Sequence, residues 1–137
     1  MLSIIVPVRN ESENLREVFT YFSQNLSAMN YEVLIINDFS KDDTLEKTKK
    51  LMSEFKNFRV LDNKKKGLGG AINLGILEAK GKFISIMMAD RSDDINDLVR
   101  YEKIINSENY DAVLGSRFLK ESKVVNYPLS KLVLNRI

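Results

Sequence analysis

Clusters of carboxylates, basic residues and glycines recur along the chain, each directly after an apolar run. The five clusters are residues 7–11, 37–43, 63–70, 89–94 and 115–117. Carboxylate oxygens are the ligands that hard divalent cations prefer, while basic side chains and backbone N–H groups bind phosphate oxygens. Together the clusters predict a site for a phosphate ester accompanied by a divalent cation.

The composition excludes several other kinds of chemistry. The 137 residues include no cysteine and no histidine, which rules out thiolate metal sites, disulfides and Ser–His or Cys–His catalysis. Acid–base work therefore falls to Asp, Glu, Lys, Arg or Tyr. The 21 basic and 19 acidic residues leave a net charge of +2, which is too balanced to indicate nucleic-acid binding. No apolar run approaches the roughly 20 residues of a membrane span, so we expect a cytoplasmic domain.

The clusters must be positioned by the elements around them. Apolar runs at 2–8, 33–36, 58–61, 83–88 and 112–114 predict strands, and amphipathic patterns between them predict helices. This alternation requires right-handed crossovers and a mostly parallel sheet covered on both faces. The predicted fold is a Rossmann-like, three-layer α/β/α sandwich of about five strands. We expect one domain over residues 1–137, as the N-terminal part of a longer one.

The first helix is predicted in most detail. Asn10 and Glu13 have the spacing of a capping box, which predicts that the helix begins at this point. Apolar residues at helical spacing then predict its buried face: Leu15, Val18, Phe19, Phe22 and Leu26.

The five clusters are expected to converge, because ligands bind beyond the carboxyl ends of parallel strands. Asp90 is the strongest candidate, since it ends an apolar run where an unpaired carboxylate would be costly. The lysines at 64–66 fit either a solvated turn or a phosphate contact. Four other carboxylates open helices and are explained more simply by the helix dipole: Asp42, Asp43, Asp93 and Asp94.

The sequence does not match either of two generic nucleotide-binding motifs. Gly67 and Gly69 begin a dinucleotide fingerprint, but Ile72 stands where its third glycine belongs. That stretch also follows the third predicted strand rather than the first. No G-x-x-x-x-G-K-[ST] sequence occurs, so the chain has no P-loop.

Six stretches, taken in order, resemble the family 2 glycosyltransferases of GT-A fold. The opening IIVPVRNESENL is similar to V-P-x-Y-N-E-x-E-N-L, and EVLIINDFSKDDT is similar to E-I-x-V-D-D-G-S-x-D-G-T. Within the family, the dolichyl- or polyprenyl-phosphate sugar (mannosyl) synthases are the branch that the chain resembles most. The six stretches are residues 4–15, 32–44, 67–75, 79–94, 111–118 and 126–131.

The resemblance implies an enzyme that moves a sugar from a UDP- or GDP-sugar donor to an acceptor. The implied acceptor is a polyprenyl or dolichyl phosphate, reached at the cytoplasmic face of a membrane. Asp90 would be the second D-x-D carboxylate, holding Mg²⁺ or Mn²⁺ on the diphosphate, and Arg117 and Lys131 would face the acceptor phosphate. The resemblance assigns the donor to the remaining candidates: Pro7, Arg9, Glu11, Asp38, Lys66 and Gly67.

The chain departs from the family pattern at informative places. Met88 replaces the first D-x-D carboxylate, and a thioether is a poor ligand for a hard cation. Asn37-Asp38-Phe39 replaces Asp-Asp-Gly, and Arg9 replaces a tyrosine. These departures keep an alternative open, in which the domain is a degenerate homologue that binds a nucleotide or a partner with little transfer activity.

The last residues form an apolar pattern interrupted by lysines and an arginine, at 124–137. Such a pattern is typical of a helix that packs on the rest of the protein. It also fits an interfacial helix that approaches a lipid carrier. Both interpretations stay open from the sequence.

Overall fold

Strands and helices alternate through the part of the chain that the computed structural model describes, residues 1–107 and 110–116. The elements are β1 (Leu2–Val8), α1 (Leu15–Asn25), β2 (Tyr31–Asn37), α2 (Thr44–Leu51), β3 (Phe58–Asp62), α3 (Leu68–Glu78), β4 (Phe83–Ile86) and α4 (Ile95–Ser107). The chain divides into two compact units, Met1–Glu102 and Lys103–Ile137. The sheet lies wholly in the first unit.

The four strands form one parallel sheet in the order β3-β2-β1-β4. All seven residues of β1 pair with β2, from Leu2 opposite Tyr31 to Val8 opposite Asn37. Both strands are buried along their whole length. Such near-continuous apolar strands are typical of a parallel sheet covered on both faces. The predicted parallel α/β architecture is confirmed.

Helices cover the two faces of the sheet unequally. One face carries the larger core, to which α1, α2 and α4 contribute, and there Phe19 stacks on Phe58 with ring centroids 4.2 Å apart. The predicted buried face of α1 is confirmed, since each of its five apolar residues is at most 1% exposed. On the opposite face α3 packs over a smaller cluster around Ile5, Leu34 and Ile36. The layers are therefore helix, sheet, helix.

The predicted fifth strand is wrong. Residues 112–114 have no regular secondary structure, and Leu114 is 90% exposed. A run of three apolar residues offers few ladder hydrogen bonds, and here it buries little apolar surface. The described residues therefore contain a sheet of four strands rather than about five.

The predicted capping box is also wrong. Asn10 has a φ of +57°, in the left-handed region, whereas an N-cap residue has extended backbone angles. Its side-chain oxygen accepts a hydrogen bond from the Lys41 backbone N–H at 2.8 Å, and α1 begins five residues later, at Leu15. A contact with a distant loop has replaced the local cap.

Candidate functional site

The loops that follow β1 and β2 are joined at the carboxyl edge of the sheet. The Asn10 N–H donates to Ser40 Oγ at 3.0 Å, and the Lys41 N–H returns a bond to Asn10 Oδ1. The Glu11 N–H donates to Thr44 Oγ1 at 2.9 Å, at the start of α2. These bonds fix the two loops as one surface.

Asp38 joins the loop after β2 to the loop after β3. Its side chain is buried, and Oδ1 accepts hydrogen bonds from Asn63 Nδ2 at 2.7 Å and from the Gly67 N–H at 2.9 Å. Gly67 has a φ of +114°, which only glycine adopts without strain, and it immediately precedes α3. Asp38 therefore fixes where α3 begins, in addition to its predicted contact with a nucleoside.

Asn63 lies in the predicted cluster 63–70, but its role at this edge was not predicted. It is 7% exposed, and its amide nitrogen also donates to the Lys65 carbonyl oxygen at 2.7 Å. Its side-chain oxygen accepts a hydrogen bond from the Lys65 N–H at 3.1 Å. One amide therefore closes the turn that carries the lysines at 64–66, which we call the lysine turn. The only sequence signal was an Asn directly after a strand and before a basic run. Lys66, a predicted donor contact, is exposed on this turn, beside half-buried Gly67.

Asn37 shows why an amide can stand where the family pattern has a carboxylate. Its Nδ2 donates to Asp62 Oδ1 at 2.8 Å, and its Oδ1 accepts from the Ser40 N–H at 3.3 Å. A carboxylate at position 37 would face the Asp62 carboxylate without a proton to share. The amide at position 37 therefore suits Asp62, its partner on the neighbouring strand β3.

The predicted donor contacts of the first loop differ in exposure. Pro7 is buried in β1 opposite Ile36, in the stretch of β1 beyond the last pairing with β4, which joins Ile5 to Ile86. A proline lacks an N–H, and at this position it lies past the ladder with β4, so it interrupts no pair of that ladder. Arg9 is exposed, and Glu11 is half-buried, with its carboxylate accepting from Asn14 Nδ2 at 2.9 Å.

Asp90 lies exposed in the loop after β4, which ends at Ile86, so the expectation that Asp90 ends a buried strand is wrong. Its Oδ1 accepts a hydrogen bond from the Ser92 N–H at 2.9 Å, and this bond holds the pKa of the carboxyl below its ordinary value. The side chain is therefore a carboxylate at neutral pH, directed by the turn that follows it. This placement keeps Asp90 available to a ligand from solvent.

The other carboxylates that open helices have structural partners. Asp93 Oδ2 accepts from the Met88 N–H at 3.0 Å, and Asp94 Oδ1 accepts from the Asn96 N–H at 2.8 Å, in the first turn of α4. Asp42 accepts from the Thr44 N–H at 3.1 Å at the start of α2. Asp43 pairs with Lys47 along the same helix, at 3.1 Å. Asp42, Asp43 and Asp94 thus have partners at the starts of their helices, as predicted, whereas Asp93 bonds back to the loop after β4.

The described residues do not form a ligand set for a cation on their own. No three carboxylates converge among residues 1–107 and 110–116, and Met88 leaves Asp90 as the one carboxylate of the D-x-D stretch. Arg91 has a φ of +59° and pairs with Glu17 of α1 at 2.8 Å. The guanidinium nearest to Asp90 in sequence is therefore already bound to α1.

A family model describes the same stretch of chain. The model for glycosyl transferase family 2 matches residues 3–137. The chain belongs to this family. The match confirms the family that the six motifs predicted, and it spans all four of the loops described above.

Two relatives of this glycosyl transferase chain are named for dolichol-linked substrates. It is 33% identical over 135 residues to a dolichol-phosphate mannosyltransferase of Pyrococcus furiosus, covering 98% of this chain and 38% of the relative. It is 32% identical over 144 residues to a dolichyl-phosphate beta-glucosyltransferase of Trichomonas vaginalis, covering 96% of this chain and 44% of the relative. The chain thus spans about two fifths of the length of these relatives.

Solved structures of the S. aureus protein TarS share the fold. The structure of TarS 1–349 superimposes with a TM-score of 0.64 at 21% identity, covering 88% of this chain and 40% of that one. The structure of TarS 1–349 in complex with UDP-GlcNAc gives a TM-score of 0.62 at 22% identity, covering 88% and 38%. The GT-A architecture of the family 2 chain is supported by this likeness.

Two predicted site residues of this family 2 chain, Arg117 and Lys131, lie outside the described residues. So do residues 124–137, for which the sequence left open a packed or an interfacial helix. Among residues 1–107 and 110–116, no helix has the length and apolar character needed to cross a bilayer.

Proposed function

We propose that the protein transfers a sugar from a nucleotide-diphosphate sugar to a lipid-linked phosphate, a polyprenyl or dolichyl phosphate. Family membership and the names of the two relatives support the reaction class and the acceptor. One structural observation carries the donor site: the buried Asp38 carboxylate ties the β2 loop to Gly67 and so to the lysine turn. That bond places an acidic group and a basic turn at one edge of the sheet.

The diphosphate and the nucleoside of the donor need different protein groups at this edge of the sheet. The lysine turn, with the exposed Lys66, provides cations for a diphosphate, and the N-terminus of α3 adds a favourable dipole. Arg9 and Glu11 in the first loop provide polar groups for the nucleoside, with Pro7 shaping the strand end beneath them. The donor is a UDP- or GDP-sugar, and binding of the donor is the first step that these residues support.

The chemistry needs no strong general base. A phosphate monoester is already anionic near neutral pH, so an acceptor oxygen attacks the sugar C1 directly while the bond from C1 to the diphosphate oxygen breaks. Arg117 and Lys131 are the residues that the resemblance assigns to the acceptor phosphate. We place the reaction at the cytoplasmic side of a membrane, where a lipid-linked acceptor is presented.

A divalent cation, Mg²⁺ or Mn²⁺, would find only Asp90 as a carboxylate of the D-x-D stretch. We therefore propose that the cation is held chiefly by the donor's diphosphate, with Asp90 as the protein's contribution. This arrangement predicts a modest cation dependence rather than an absolute one.

Calorimetric titration with UDP and with GDP, each with and without Mn²⁺, tests the proposal. We expect one nucleotide to bind, and Asp90→Asn to weaken its binding in Mn²⁺ by about tenfold, or 1.4 kcal/mol. Asp94→Asn is the matched control, because asparagine caps a helix as well as aspartate does. Its affinity should equal that of the unaltered protein.

Two results would contradict the proposal. Binding that Asp90→Asn and Asp94→Asn leave equally unchanged would remove Asp90 from the donor site. Failure of both UDP and GDP to bind, with or without Mn²⁺, would support the degenerate homologue instead.

A further inference from the structure

Phe39 combines a strained backbone conformation with a side chain that is nearly half exposed. Its φ is +54°, in the left-handed region, where a bulky side chain is a genuine outlier. The side chain is nevertheless 44% exposed, and its ring stacks on no other aromatic ring in the described part of the chain. Asn10 and Arg91 also have positive φ, but both have polar partners within the protein.

The backbone on both sides of Phe39 is fixed by hydrogen bonds. The Asp38 N–H donates to the Val8 carbonyl oxygen at 2.9 Å, and the Ser40 N–H donates to Asn37 Oδ1 at 3.3 Å. The Lys41 N–H is bound to Asn10, as described above. The ring is therefore presented to solvent on a frame that is already ordered, which lowers the entropy lost when a ligand binds.

The chemical surroundings of the ring select its partner. In the loops that follow the four strands, residues 9–14, 38–43, 63–67 and 87–94, Phe39 is the only aromatic residue. The neighbouring positions carry carboxylates, amides and lysines. Phe39 directly follows Asp38, which is bonded to Gly67 at the end of the basic turn. An exposed apolar ring and a basic turn linked in this way match a ligand that has a flat π face at one end and negative charge at the other.

We propose that Phe39 is a binding residue for the nucleobase of the donor, and that the base stacks on its ring. This inference rests on the proposed nucleotide-sugar function and deepens it. Backbone strain is typical of ligand-binding positions, and at Phe39 a bound ligand would cover a side chain that is 44% exposed in the folded protein. Stacking tolerates any base, so Phe39 adds affinity for the nucleoside without choosing between uracil and guanine.

The substitution Phe39→Gly distinguishes a role of the phenyl ring in ligand binding from a role in the stability of the fold. Glycine adopts the same φ without strain, so the variant should be at least as stable to urea as the unaltered protein. Its affinity for the nucleotide that the protein binds should fall about tenfold, while Phe39→Tyr keeps the affinity. A gain in stability together with a loss of affinity is the pattern that a merely structural phenylalanine would not give.

Phe39→Trp provides a direct readout, because the chain contains no tryptophan. We expect its fluorescence to be quenched by UDP or GDP, with saturation at the concentration that calorimetry gives. Leu77→Trp is the matched control, on a side chain of α3 that is 77% exposed, and its fluorescence should not change.

The outcomes separate the two proposals. If calorimetry shows nucleotide binding that Phe39→Gly leaves unchanged, or that leaves Phe39→Trp fluorescence unaltered, the stacking role is overturned and the proposed function stands. If neither nucleotide binds the unaltered protein, both proposals are overturned. A Phe39→Gly variant that is less stable than the unaltered protein would assign Phe39 to the fold and also overturn the stacking role.

Discussion

At the scale of single residues, the side-chain amide of Asn63 meets a requirement that no other residue type of its size fulfils. It must donate to the Asp38 carboxylate and to a carbonyl oxygen, and accept from the Lys65 N–H, all while buried. Aspartate has the shape but no donor when ionised, and leucine has neither group. The lysine turn is therefore set by hydrogen-bond chemistry rather than by packing.

Asn63→Asp tests this requirement. The change places a second carboxylate against Asp38, and we expect it to lower the free energy of unfolding at pH 7.5 by about 1–3 kcal/mol. The deficit should shrink at pH 5, because two facing carboxylates raise the pKa of one of them, and the bound proton restores a donor. Urea denaturation at both pH values measures this, with Asn73→Asp, on an exposed position of α3, as the control. A deficit that is the same at both pH values would exclude a shared proton.

At the scale of elements, α3 approaches the sheet more closely than a helix with larger side chains could. A Cβ atom built on Gly75 would lie 2.5 Å from Ile5 Cγ2, which is closer than real Cβ contacts. Gly75 is therefore required by the distance between the helix and β1. Gly69, in the first turn of the same helix, has open space around it.

Two glycine-to-alanine changes in α3 should consequently have opposite effects. Gly75→Ala forces the helix or Ile5 to move, so we expect a loss of stability of about 1–3 kcal/mol. Gly69→Ala should increase stability by about 0.5–1 kcal/mol, since alanine restricts the unfolded chain and favours a helix. Thermal and urea unfolding of both variants provide the measurement. Equal effects of the two changes would show that α3 does not pack on β1 as described.

The same scale shows what the sequence can predict. An apolar run located β1 at residues 2–8, and helical spacing located the buried face of α1, because burial of apolar residues decides both. Contacts between distant polar side chains carry no periodic signal, so neither the role of Asn63 nor the contact of Asn10 with Lys41 was predicted. The prediction of a fifth strand was wrong for a related reason, because a strand forms only where a neighbouring strand pairs with it. Convergence of the loops followed from topology, whereas the partner of each carboxylate did not.

At the scale of the whole molecule, one buried carboxylate joins four segments at the amino ends of the strands. Glu32 of β2 accepts from Ser3 Oγ of β1 at 2.7 Å, from Arg59 Nη1 of β3 at 3.0 Å and from the Lys80 N–H at 2.7 Å. The Gly81 N–H extends this network to Ser3 Oγ at 2.8 Å. Burial would raise the pKa of Glu32, but the hydrogen bonds and the charge of Arg59 outweigh it and hold the pKa below its ordinary value of 4.5.

The network should make the stability of the sheet depend on pH. Because the folded pKa of Glu32 is depressed, its contribution is complete above about pH 4.5 and is lost as the pH falls through the folded pKa. Glu32→Gln should therefore lower the free energy of unfolding by about 1–3 kcal/mol at pH 7 and by less at acid pH. Unfolding measured at pH 3, 5 and 7 checks this. Glu46→Gln is the control, on an exposed pair with Lys50, and should be nearly neutral at every pH.

The Glu32 network and the loops that carry Asp38, Phe39 and Asp90 lie at opposite ends of the strands and share no side chain. Substitutions in those loops can therefore change which ligand is recognised without drawing on the contacts that hold the strands together. In a lineage under selection for a new donor or acceptor, exposed positions of these loops, such as Phe39, can therefore change without weakening the Glu32 network. The amino-terminal ends of the strands would keep the sheet folded while recognition changes at the other end.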